Sequence, residues 1–212
     1  YDHDNDGDFN EPDGYIDHFQ SIHAGEGEEA GGGSLGGSAI WSHRWYAHWE
    51  GIGFDGPAEN QAGGVQVGNS NYWIGDYTIE PENGGVGVFA HEFAHDLGLP
   101  DLYATQGASN STGFWTLMSS GSWLGDGTKD IGSMPGHMGA WEKLQLGWLN
   151  YEVANAGEKS QHKLGPAATN TKQAQAVIVI LPEKEVATQI GDPYAGDSFY
   201  YSGAGNDIIG NT

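Results

Sequence analysis

Cysteine is absent from the 212 residues, which excludes disulfide staples, thiol catalysis and thiolate metal sites. Cations are scarce: 7 Lys and Arg stand against 29 Asp and Glu, for a net charge of −22. A chain with so little positive charge is poorly equipped to neutralise a phosphate backbone, which argues against a nucleic-acid partner. No apolar run reaches the length of roughly 20 residues that a bilayer-spanning helix needs, so no membrane span is expected. A secretory leader and lipidation motifs are also missing from these residues. The opening charged loop and the closing Gly/Asn stretch read as cuts within a longer precursor.

Glycine is abundant, at 36 residues, and points to a loop-rich fold rather than a helix bundle. Apolar residues make up 37%, with 8 Trp and 10 Tyr, which is enough for one substantial core. The acidity has two readings. Negative charge keeps a protein soluble, and carboxylate oxygens are the ligands that hard cations such as calcium prefer.

Along the chain, 15–23 alternates apolar and polar residues and reads as a strand, as does the segment 72–79, while the aromatic-dense 39–49 reads as a strand plus a turn. Residues 24–38 are Gly- and Glu-rich and read as an exposed loop. The clearest helix is expected over 86–97, stopped by Gly98 and Pro100, and a second over 135–146, stopped by Gly147. Beyond residue 150 the character shifts, with a strand at 176–181 and a tail rich in Gly, Asp and Tyr.

The first helix carries His91-Glu92-Phe93-Ala94-His95. Residues four apart share a helix face, so His91 and His95 can offer imidazoles to one metal ion. Glu92 sits beside the first of them, placed to accept a proton from a metal-activated water. After the Gly98 turn the chain reaches Asp101, ten residues past His91, where the extended pattern HExxHxxGxx(H/D) puts its third ligand. Two imidazoles and a carboxylate leave a fourth zinc position open. Glu142, on the second helix, is the alternative third ligand.

Downstream, Met118 lies in a tight turn of small residues (FWTLMSSGSW, 114–123) and is a candidate for the methionine turn beneath such a metal. His23, His43, His137 and Tyr103 are secondary candidates, the last two as donors to an oxyanion. Trp41, Trp45, Trp115 and Trp123 read as core or cleft wall.

The N-terminal loop follows the twelve-residue calcium pattern. Asp2, Asp4 and Asp6 stand at positions 1, 3 and 5, Gly7 at 6, Phe9 at 8 and Asp13 at 12, with Asp8 adding a further carboxylate. So many acids close together repel one another without a cation. A structural calcium site is the expectation, although the twelfth residue is Asp rather than Glu and no flanking helices are evident.

Segments 40–45 (IWSHRW), 74–103 (IGDYTIEPENGGVGVFAHEFAHDLGLPDLY) and 114–123 resemble the M6 family of metallopeptidases, the immune inhibitor A type. Segments 141–149 (WEKLQLGWL) and 181–208 extend the likeness. The resemblance implies a secreted, extracellular bacterial zinc endopeptidase that cleaves proteins broadly. It also implies synthesis as a precursor with an inhibitory pro-segment, followed by β-sandwich modules.

The expected fold is α+β and zincin-like, with a mixed sheet, an active-site helix and a C-terminal subdomain after Gly98. Residues 1–150 would form the catalytic domain with its calcium loop, and 151–212 the start of a β-rich extension. The expected function is endopeptidase action on protein or peptide substrates, with Zn²⁺ on His91, His95 and Asp101 and Glu92 as general base. The competing class is a calcium-stabilised, non-catalytic binding or adhesion module with a residual zinc site. The intact Glu92 speaks against it.

Overall fold

In the computed structural model, the described residues are 12–58, 60–105, 112–126 and 131–181. They fall into two compact units, Tyr1–Asp96 with Trp123–Pro135, and Leu97–Ser122 with Gly136–Thr212.

The first unit is built on a three-stranded mixed sheet in the order β1-β5-β2. Strand β1 (Gln20–His23) runs parallel to the central β5 (Asp76–Pro81), and β2 (His43–Tyr46) runs antiparallel to its other edge. A small antiparallel pair, β3 (Val65–Gln66) and β4 (Trp73–Ile74), adjoins it in sequence. The strand expected over 15–23 is thus shorter, because its two ends have different partners. Residues 20–23 pair with β5, whereas Tyr15 bridges to Trp73. Tyr15 is buried, with its hydroxyl 2.8 Å from the Gly63 carbonyl and accepting the Ala62 amide at 3.1 Å.

Strand β5 departs from simple patterning. Its alternation puts Tyr77 and Ile79 on one face and Asp76, Thr78 and Glu80 on the other. The polar face is the buried one: Asp76, Thr78 and Glu80 are 4%, 1% and 0% exposed. A polar set buried this deeply needs specific partners.

Helix α1 (Val86–Asp96) packs on β5 and β2. Its orphan N-terminal amides are satisfied from outside, Gly85 N–H donating to the Ile131 carbonyl at 3.1 Å and Gly87 N–H to that of Gly132 at 2.8 Å. Gly85 is required by this approach, since a Cβ there would lie 2.3 Å from the Ile131 oxygen. The helix ends as its sequence indicates, one residue before the expected boundary, and Gly98 takes the left-handed conformation with φ 89°.

In the second unit, Leu99, Leu117, Met118 and Leu149 form the buried apolar set. Helix α2 (Ala140–Gln145) begins five residues later than the expected 135. The preceding stretch spends its backbone on the 117–121 turn instead, with Gly136 N–H donating to the Gly121 carbonyl at 2.8 Å and Leu117 N–H to that of His137 at 3.2 Å. Strand β6 (Tyr151–Asn155), missed by the sequence reading, pairs in parallel with β7 (Ala176–Ile180), which was expected.

Candidate metal centre

Helix α1 presents two adjacent rows of buried side chains. Gly87, His91 and His95 form one at four-residue spacing, and Val88, Glu92 and Asp96 form the next. The imidazoles of His91 and His95 stand edge to face, their centroids 4.7 Å apart at 86°. Both are buried, at 7% and 6% exposure, and Glu92 is 5% exposed.

Past the Gly98 turn, the chain brings Asp101 back towards the histidine row. One ligand atom from each of His91, His95 and Asp101 lies within 4.8 Å of the others, and Asp101 is half-buried. Among the described residues no other group of three or more His, Asp or Glu side chains gathers so closely. Two nitrogens and a carboxylate oxygen are the donor set of a catalytic zinc with its fourth position open. Tetrahedral donors about 2.0–2.2 Å from zinc lie roughly 3.5 Å apart, a separation compatible with ligand atoms that all lie within 4.8 Å of one another. The residues therefore fit the ion.

The chain around the third donor is held firmly. Leu102 N–H donates to the Met118 carbonyl at 2.7 Å, and the Thr112 hydroxyl donates to the Leu102 carbonyl at 2.7 Å. Met118 itself is 0% exposed, and its N–H donates to the Thr116 Oγ1 at 3.2 Å. The sequence signalled Met118; Thr112 and Thr116, small polar residues in a loop, carried no signal.

The alternative donor, Glu142, is not a member of the three-residue group. Its carboxylate accepts the backbone N–H groups of Gly139 and of Glu142 itself, the reciprocal half of a capping box at the start of α2. Burial pushes its acidity down, raising the pKa, and those hydrogen bonds partly oppose the shift.

None of His23, His43 or His137 joins the group. His43 is spent on the Trp41 carbonyl at 2.7 Å and the Tyr77 hydroxyl at 3.1 Å, His23 lies 3.1 Å from the Ala24 carbonyl, and His137 is exposed. Tyr103 is also exposed. The tryptophans are not core: Trp41, Trp45, Trp115 and Trp123 are all exposed, with the Trp41 and Trp123 rings 6.0 Å apart. An indole tolerates this because its large ring is rarely buried completely. Of the expected calcium ligands, Asp13 accepts the Tyr15 N–H at 3.0 Å. Asp2, Asp4, Asp6 and Asp8 lie outside the described residues.

Sequence reasoning overlooked the polar layer behind α1. Asp96 pairs with the His18 Nδ1 at 2.7 Å and faces the Arg44 Nε at 3.5 Å, and Arg44 also pairs with Asp76. Glu80 accepts a hydrogen bond from Gln20 at 3.2 Å. Burial pushes the Glu80 carboxyl up to about 7; hydrogen bonds from Gln20 and Thr78 pull it down, and the charges of Glu92 and Asp96 push it further up. The one available signal was Arg44, a rare cation in an acidic chain.

Residues 1–149 match the family described as Immune inhibitor A peptidase M6, catalytic domain. The chain belongs to the M6 peptidase family. It is 41% identical over 223 residues to Immune inhibitor A of Bacillus thuringiensis subsp. alesti, covering 98% of this chain and 31% of that protein. It is 39% identical over 219 residues to Pre-pro-metalloprotease PrtV of Vibrio cholerae serotype O1 (strain M66-2), covering 98% of this chain and 23% of that protein. The chain thus spans less than a third of the length of these M6 relatives. No helix among the described residues is long and apolar enough to cross a membrane.

Proposed function

We propose that this chain is the catalytic part of a secreted, extracellular bacterial zinc endopeptidase, with His91, His95 and Asp101 as the metal ligands and Glu92 as the general base. The observation that carries the reading is the convergence of two buried imidazoles and one carboxylate within 4.8 Å, with a buried glutamate next to the first. Membership in a peptidase family supports the choice of reaction.

When bound, a zinc ion lowers the pKa of a coordinated water towards ~7 and polarises a scissile carbonyl. The chain's own part is orientation and proton transfer. His91 and His95 hold their two donors one helical turn apart on a rigid element. Asp101 supplies the third from a loop tied down through Leu102. The Glu92 carboxylate takes the proton of the attacking water and delivers it to the departing amine, one group acting as base and then as acid. Its burial, at 5% exposure, limits competing bulk water.

Protein or peptide substrates are part of the proposal, as is inhibition by a pro-segment of the precursor. The name of the Vibrio relative, a pre-pro-metalloprotease, is consistent with synthesis as a precursor. We place the catalytic domain at 1–150 and the start of a β-rich region at 151–212; the β6–β7 pairing supports the β character of the latter.

Calcium is proposed for the loop of Asp2, Asp4, Asp6, Asp8 and Asp13, where it would offset carboxylate repulsion and fix the approach to Tyr15. Calorimetric titration with calcium checks this site: Asp4→Asn with Asp6→Asn removes a binding event seen in the parent chain, and no such event in the parent refutes it.

Metal dependence tests the main reading. Casein hydrolysis is expected to vanish on chelation, with zinc restoring it at about one ion per chain. Hydrolysis that survives complete zinc removal would sink the proposal.

A further inference from the structure

We propose that Arg44 is a positioning residue for the metal centre: by pairing with Asp76 on β5 and Asp96 at the end of α1, it sets the rotation of the helical turn that carries His95. The proposal rests on the ligand reading above and adds a residue that this reading does not use.

Asp96 is oddly placed for a helix terminus. The C-terminal end of a helix carries a partial negative charge and favours cations, yet α1 ends on a carboxylate. That carboxylate is 3% exposed, so its charge must be met from within the protein. Arg44 and His18 meet it. The Arg44 Nε faces Asp96 Oδ1 at 3.5 Å, a charge contact rather than a hydrogen bond, and the His18 Nδ1 lies 2.7 Å from Asp96 Oδ2. The neighbouring nitrogen of the guanidinium, Nη2, donates to Asp76 Oδ2 on the central strand. Its carbon sits 6.0 Å from the centroid of the Tyr46 ring. Arg44 and Asp76 are 14% and 5% exposed, so screening by water is weak here.

The consequence for the metal centre is geometric. Val88, Glu92 and Asp96 form the row beside Gly87, His91 and His95, one residue further round the helix. Successive helical residues are about 100° apart, so fixing the direction of Asp96 fixes that of His95. The His18 ring also tilts against Phe93, at 5.2 Å, on the same turn. A guanidinium is suited to bridge two carboxylates because its donors diverge in a rigid plane, which a lysine ammonium does not reproduce. Partners bonded directly to metal ligands alter metal affinity about 10–100-fold when replaced, and Arg44, acting one step further out through Asp96, is expected at the lower end of that range.

The experiment is zinc affinity of the metal-stripped chain, by competition with a chromogenic chelator, alongside thermal melting. Arg44→Lys and Arg44→Met are compared with the parent chain and with Tyr15→Phe. The last removes a buried hydroxyl from the Gly63 and Ala62 backbone without touching α1. Arg44→Lys is expected to bind zinc about 10-fold more weakly and Arg44→Met more weakly still. Tyr15→Phe is expected to melt earlier yet bind zinc as the parent does. If Arg44→Met does not fold, the milder Arg44→Lys decides. Parental affinity in the folded arginine variants overturns the proposal, and so does an equal loss in Tyr15→Phe, which would make the effect one of general stability. A parent chain that takes up no zinc would instead remove the ligand reading, and the proposal with it.

Discussion

Leu102 donates its amide hydrogen to the carbonyl oxygen of Met118 at 2.7 Å, so the residue after Asp101 is bound to the turn that carries this buried methionine. The Leu102 carbonyl is in turn held by the Thr112 hydroxyl. The proposed third metal donor, Asp101, therefore inherits its position from a packed turn, although it lies on a loop. Met118→Ala removes a fully buried side chain and should destabilise the chain by about 2–5 kcal/mol. Met118→Leu, closer in volume, should cost less than about 1.5 kcal/mol. Thr112→Val removes one hydrogen bond and should cost about 1 kcal/mol. Urea unfolding of each variant checks the order; an alanine variant as stable as the leucine variant would contradict it.

Asp101 and Glu142 are separated by a simple comparison. Asp101→Asn is expected to weaken zinc binding strongly with a smaller change in metal-free stability, since the swap keeps the side chain's size and an acceptor oxygen. Glu142→Ala is expected to do the reverse. It removes a buried cap on α2, at about 1 kcal/mol or more, and leaves zinc affinity intact. Loss of zinc in the Glu142 variant alone would exchange their roles.

Glu80 gives the metal-free chain a pH dependence of definite sign. Its carboxyl titrates at about 7 when folded, against an ordinary 4.5. Between those values the folded state holds a proton that the unfolded chain has released. Its contribution to stability is thus fully present below about 4.5 and is lost as pH rises through about 7. The full span corresponds to roughly 3 kcal/mol. Urea midpoints from pH 4.5 to 8 should fall for the parent relative to Glu80→Gln, which keeps an acceptor for Gln20 but cannot ionise. Parallel pH profiles would refute this assignment.

The helix carrying His91, Glu92 and His95 was legible because its signals are local: four-residue spacing, a glycine stop and a proline beyond it. Asp101 was legible for the same reason, the turn at Gly98 fixing how far the chain travels before it returns. The single strand expected over 72–79 is divided between β4 and β5, which have different partners, and the buried face of β5 could not be read. Apolar patterning favours Tyr77 and Ile79 as the inward set, whereas the protein buries Asp76, Thr78 and Glu80. Burying the polar face becomes feasible only when Arg44, Gln20 and α1 are assembled around it. Those partners come from distant parts of the sequence, so nothing in residues 76–81 announces them. Such a breach of local rules is expected where structure serves a site rather than stability alone. The late start of α2 has a similar origin, because backbone partners at 117–121 outcompete helix formation over 135–139.

The most direct test of the account is hydrolysis of casein by the zinc-loaded, calcium-supplemented chain beside its Glu92→Gln variant, with bound zinc measured in both. The account predicts equal zinc content and a loss of activity of at least about 100-fold in the variant, as expected for removing a general base. A variant that holds its zinc and cleaves casein at the parent rate would contradict the assignment of Glu92 and the mechanism built on it.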